Sequence, residues 1–193
     1  YDGPGLPVFA AHSFGGFALM NLAARHGHRV ARSVIVDTPL RPPSAADARR
    51  RHRADSLRSA KVYASLAEAL KRFRLLPPQA CAHPYIADVI ARRGLKQVVG
   101  PEGQPGWVWR FDPFLFRHFS FGRPWRDLRA AQCPVTLVRG GRSRLITPEL
   151  LAHAVSQAPA GTDTLELPDA DHHVMIDQPM AFAELLARLV PSA

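Results

Sequence analysis

With 193 residues, 47% of them hydrophobic and 21% charged, the chain has the apolar content to bury one core with room for an inserted subdomain, which excludes a disordered chain. No apolar run is long enough to cross a bilayer and no basic start leads into an apolar signal, so a cytoplasmic protein without a membrane span is expected. The formal charge of +9 comes from arginines scattered among alanines, densest at Arg49-Arg50-Arg51-His52-Arg53; it reads as solvated surface and makes nucleic acid an unexpected partner.

Tyr1 to Pro7, rich in glycine and proline, reads as a connecting loop. From Val8 an apolar, strand-forming run ends at Ala11-His12-Ser13-Phe14-Gly15, and helix formers follow to Arg25-His26, with Gly27 as the expected stop. Small residues at 11 and 15 allow a turn tight enough to hold Ser13 strained, with its hydroxyl pushed into a cleft. Ser33 to Val36 predicts a second parallel strand, ending in Asp37-Thr38-Pro39 and closing a right-handed crossover unit.

From Arg41 the texture changes to helix-like stretches separated by proline-rich joints, among them Leu75-Leu76-Pro77-Pro78 and Gly100 to Gly106. A helical cap over 42–122, inserted between core segments 1–41 and 123–193, is the predicted organisation. Its latter part gathers Trp107, Trp109, Phe111, Phe114, Phe116, Phe119, Phe121 and Trp125. Such a cluster either lines an apolar substrate pocket, with Trp107, Trp109 and Phe111 foremost, or packs as ordinary core.

Beyond the cap, Pro134 to Val138 predicts a third strand, Pro148 to Gln157 a helix capped by Thr147, and Thr162 to Leu167 a fourth strand. Pro168 to Asp177 reads as a loop carrying His172 and His173, followed by a last helix from Pro179 to Leu189. The alternation argues an α/β architecture, a mostly parallel sheet flanked by helices. Cys81 and Cys133 have neither disulfide-framework nor zinc-site spacing.

The stretch from Val8 to Gly16 resembles the nucleophile elbow of the α/β-hydrolase family, G-x-S-x-G, with Ala11 in place of the first glycine and His12 and Gly16 matching the G-H-S-x-G-G form. Asp171-His172-His173-Val174-Met175-Ile176-Asp177-Gln178-Pro179 is similar to the family's C-terminal segment, in which a histidine precedes a short apolar stretch and a D/E-x-P. The resemblance implies Ser13 as nucleophile and His172 as base, with His173 the alternative. The usual acid position, Gly140-Gly141-Arg142-Ser143-Arg144, has no carboxylate. A subgroup of small esterases carries the acid after the strand that follows the nucleophile helix, and Val36-Asp37-Thr38-Pro39 fits that pattern. Asp37 is therefore the expected acid, with Ser143 as a hydrogen-bonding companion; a turn role for Asp37, with Asp171 or an upstream carboxylate as acid, is the alternative.

Phe14 N–H is the expected oxyanion donor. The second donor belongs to a segment that precedes the elbow in the family, so the chain resembles roughly the C-terminal two thirds of a complete member, with its first strand an open edge. The resemblance implies a hydrolase working through an acyl-enzyme on a small apolar ester, without metal or organic cofactor. Thioester or carbon–carbon bond hydrolysis are chemical neighbours, and a non-catalytic ligand-binding protein is the competing class. A serine at the elbow excludes the branches that use aspartate there.

Overall fold

The computed structural model describes residues 5–40, 61–100, 103–112 and 122–190. The run Arg49 to Arg53 and the aromatics Phe114, Phe116, Phe119 and Phe121 lie outside the described residues. In chain order the elements are β1 (Val8–His12), α1 (Phe14–His26), β2 (Arg32–Val36), α2 (Leu66–Leu70), α3 (Pro84–Arg93), β3 (Leu95–Val99), β4 (Pro105–Trp109) and α4 (Pro124–Arg129). They continue as β5 (Val135–Gly140), α5 (Pro148–Gln157), β6 (Asp163–Leu167), α6 (Val174–Asp177) and α7 (Pro179–Leu189). The chain divides into two compact units, one of 1–41 with 121–193 and one of 42–120.

In the first unit β1, β2, β5 and β6 form an all-parallel sheet in that order. Val36 lies level with His12 on one side and Val138 on the other, so three strands end at one edge. Side chains alternate across the sheet. Ile35 and Leu137 pack with Leu19, Met20, Leu128 and Ala154 from α1, α4 and α5, whereas Val34, Val36 and Val138 pack with Val174 and Leu185 from α6 and α7. Helices on both faces explain why the central strands are continuously apolar. Burying each of these valines stabilises the sheet by about 1.5–3 kcal/mol.

The helix limits have local causes. Thr147 caps α5, its hydroxyl accepting the Leu150 N–H at 3.3 Å, and Pro148 occupies the first turn. Gly27 follows α1 but keeps right-handed dihedrals, φ −58° and ψ −29°, and the chain goes on into a short 3₁₀ turn. Its role is steric: a Cβ there would lie 2.7 Å from the Gln132 backbone. The expected loop 168–177 holds one helical turn, α6, because Val174 and Ile176 bury themselves.

The second unit departs from an all-helical reading. Beside α2 and α3 it contains an antiparallel hairpin, with Leu95 opposite Trp109 and Gln97 opposite Trp107. Gly100 to Gly106, read from its glycines and prolines as a joint between helices, instead runs into this hairpin: Gly100 N–H donates to the Gln104 carbonyl at 2.6 Å, and Pro105 and Gly106 are already paired in β4. Leu95 to Val99, Leu-Lys-Gln-Val-Val, lacks the strict apolar–polar alternation that marks a strand, so its sequence signal is weak. Tyr63, Ala69 and Leu95 form this unit's core, with Trp107 and Trp109 packed against it. Among the described residues no helix is long and apolar enough to cross a membrane.

Candidate active site

The sheet edge where β1, β2 and β5 end collects the polar residues of interest. Ser13 N–H donates to the Val36 carbonyl at 2.8 Å, extending the β1–β2 ladder by one bond, and the chain then turns into α1. The turn holds Ser13 at φ 52° and ψ −119°, a conformation costly for a residue with a side chain and one that persists only when its surroundings enforce it. Part of the enforcement comes from Thr38, whose hydroxyl donates to the Ser13 carbonyl at 2.9 Å.

Crowding in this turn differs from the sequence expectation. A Cβ on residue 15 would lie 3.5 Å from the Ala11 Cβ, an ordinary contact, so alanine at position 11 costs little. The tight position is Gly16, where a Cβ would stand 1.9 Å from Thr38 Oγ1. Phe14 is the first residue of α1, whose N-terminal amides carry the positive pole of the helix.

Asp37 follows β2 directly. Its N–H donates to the Val138 carbonyl at 2.7 Å, its φ is 43°, and it is 1% exposed. A carboxylate in such a place needs donors. Oδ1 accepts from Gly140 N–H at 2.9 Å and Oδ2 from the Ser143 hydroxyl at 2.6 Å. Oδ2 also lies 2.7 Å from Nδ1 of His172, itself 1% exposed. An Nδ1–H donating to this carboxylate leaves the lone pair of the neutral ring on Nε2. That nitrogen is buried and without a hydrogen-bond partner among the described residues.

Asp171 does not compete for the ring: its carboxylate accepts from the backbone N–H of His172 at 2.9 Å. Its own N–H donates to Asp177 at 2.8 Å, which ties the loop to α6.

Three contributors were missed in the sequence. His12 donates through Nε2 to the His172 carbonyl at 2.8 Å, and its ring centroid lies 4.6 Å from that of His172 and 5.4 Å from that of His173. Burial is the main cause that pushes the His12 pKa down to about 4, so the ring is neutral near pH 7. Arg139, 6% exposed at the end of β5, donates to the carbonyls of Gly141 at 2.9 Å and Ile146 at 3.1 Å and pairs with Glu166, clamping the loop that presents Ser143. Thr38 is the third. The only available signals were the nearness of His12 and Thr38 to motif residues and an arginine ending an apolar strand.

Trp107 and Trp109 are half-buried within the second unit, where Trp109 lies 6.0 Å from Phe73 and 6.5 Å from Phe111 between ring centroids. Phe111 is 63% exposed. Trp125 belongs to the first unit, edge-on to His153 at 4.9 Å.

A strained serine at a strand-to-helix turn and a histidine–carboxylate pair on one parallel-sheet edge agree with a family match: the model of the alpha/beta hydrolase family covers residues 2–185. The chain belongs to that family. This family member is 28% identical over 184 residues to the esterase Rv0045c of Mycobacterium tuberculosis, a match covering 95% of this chain and 60% of that protein. A structure of the same esterase, from work on its transition metal inhibition, superposes with a TM-score of 0.72 at 26% identity, covering 97% of this chain and 63% of that one. The chain thus spans less than two thirds of the esterase's length. A thioesterase domain from the curacin biosynthetic pathway superposes with a TM-score of 0.69 at 21% identity, covering 95% of this chain and 67% of that one, a likeness of fold.

Proposed function

We propose that the protein is a serine esterase in which Ser13 is the nucleophile, His172 the general base and Asp37 the acid that orients it. The observation that carries this reading is the buried 2.7 Å contact between Asp37 Oδ2 and His172 Nδ1, next to the strained Ser13 turn. His172 Nε2 takes the proton of Ser13 Oγ as that oxygen bonds to the ester carbonyl carbon. The tetrahedral oxyanion rests on Phe14 N–H and a donor from the part of the family fold outside this chain. His172 then gives its proton to the departing alkoxide, and the acyl-enzyme remains. Water, deprotonated by the same nitrogen, attacks the acyl carbon and frees the acid and Ser13.

Gly140 N–H and the Ser143 hydroxyl hold Asp37 so that its charge faces the ring, where it stabilises the imidazolium formed in each step. A small apolar ester is the proposed substrate. The 28% identity to an esterase favours oxygen esters over thioesters. That esterase is described as inhibited by transition metals, and we propose the same sensitivity for this protein.

The experiment is labelling of the full-length protein with a serine-directed alkyl phosphonate. One adduct on the peptide that contains Ser13, absent from Ser13→Ala, is expected, together with loss of ester hydrolysis. A Ser13→Ala variant that still hydrolyses esters with a burst overturns the assignment.

A further inference from the structure

His12, His172 and His173 come from two separate places in the chain, the end of β1 and the loop after β6. Each offers one ring nitrogen, and these three atoms lie within 4.8 Å of one another. We propose that they form the binding site of a late divalent transition-metal ion such as Zn²⁺ or Cu²⁺, whose occupation removes the base from the reaction. The inhibitory consequence rests on the esterase reading above, and the binding itself does not.

Ring nitrogens suit this class of ion and are poor ligands for Mg²⁺ or Ca²⁺, which take oxygen. Metal-binding histidines usually donate their other N–H to a carboxylate or a backbone carbonyl, which sets the tautomer and aims the lone pair. Two of the three rings have that arrangement. His172 presents Nδ1 to Asp37 Oδ2 at 2.7 Å, which leaves the buried, unbonded Nε2 as donor. His12 presents Nε2 to the His172 carbonyl at 2.8 Å, which leaves Nδ1 unprotonated.

Charge also suits a cation. The described partners of Asp37 other than His172 are neutral donors, Gly140 N–H and the Ser143 hydroxyl, so a negative charge stands directly behind the His172 ring. Around a tetrahedral Zn²⁺, ligand nitrogens lie roughly 3.3 Å apart, so atoms within 4.8 Å of one another close by at most about 1.5 Å on binding. Coordination occupies the lone pair on Nε2 that would accept the Ser13 proton. No bond to Ser13 is needed for inhibition.

The test uses full-length protein stripped of metal, as wild type and as Ser13→Ala. Calorimetric titration of Ser13→Ala with Zn²⁺ is expected to show one ion per chain, with no heat from Mg²⁺ at the same concentration. The Cu²⁺ complex is expected to give an electron paramagnetic resonance spectrum with splitting from imidazole nitrogens. His173→Asn and His12→Gln, each in the Ser13→Ala background, are expected to weaken Zn²⁺ binding by about tenfold or more. In the active protein the Zn²⁺ concentration that halves each variant's own uninhibited rate rises by the same factor.

Absence of a bound ion in Ser13→Ala, or binding that neither substitution weakens, overturns the site. Because that measurement needs no turnover, a protein that binds Zn²⁺ through these residues yet hydrolyses no ester refutes the esterase reading and leaves the site standing.

Discussion

The Ser143 hydroxyl donates to Asp37 at 2.6 Å, to the same Oδ2 that faces His172 at 2.7 Å. The segment just after β5 thus supplies a neutral donor to the carboxylate that follows β2. The division of labour has a measurable consequence. Asp37→Asn should leave the fold largely intact and lower kcat by roughly 10⁴, since an amide does not stabilise the imidazolium and favours the wrong tautomer. Ser143→Ala removes one hydrogen bond to a charged group, about 1.5–3 kcal/mol, and should be far milder in kcat. Steady-state kinetics on both variants tests the ranking, and near-normal turnover in Asp37→Asn would remove it from the triad.

The two neighbouring histidines should respond very differently to truncation. His172→Ala is expected to lower turnover by several orders of magnitude, as loss of a triad base does, and His173→Ala much less. The contrast follows from Asp37, whose described ring contact is with His172. Comparing kcat/KM for the pair is the check, and the reverse order would move the base by one residue.

Gly16→Ala should be more damaging than its exposed-helix counterpart would be. The new Cβ would stand 1.9 Å from Thr38 Oγ1 and 2.8 Å from Thr38 Cβ, so either α1 or the residue after Asp37 has to move. Overpacking of this kind costs about 1–3 kcal/mol. It also displaces the hydroxyl that holds the Ser13 carbonyl, so activity should fall beyond what lost stability explains. Denaturant melts alongside turnover at a temperature where both proteins are folded separate the two effects. Equal stability and activity in the variant would show that the Thr38 contact is slack.

Local signals were enough for the parallel core. The apolar strands beginning at Val8, Ser33, Pro134 and Thr162, the Thr147-Pro148 helix start and the serine at a strand-to-helix turn are written in contiguous residues, and the described strands begin within one residue of these positions. Where proline and glycine were read as punctuation between helices, the sequence misled. The stretch Gly100 to Gly106 ends inside β4, with Gly106 opposite Val98, and the pairing of Leu95 with Trp109 is a contact between residues that periodicity treats separately.

By itself, then, the sequence determined the α/β alternation, the position of Ser13 and a short set of carboxylates and histidines that were able to serve it. Each depends on backbone preferences and hydrophobic periodicity acting over a few residues. Only the tertiary structure decided which carboxylate, Asp37 or Asp171, faces the His172 ring, and it did so by parallel pairing, which lays Val36 beside Val138 and sets the residue after it against Gly140, more than a hundred positions away. The same pairing brings His12 against the carbonyl of His172 across 160 positions and gathers three imidazoles within 4.8 Å. No local pattern encodes such neighbours, because strand order and register are settled by burying both faces of the sheet at once.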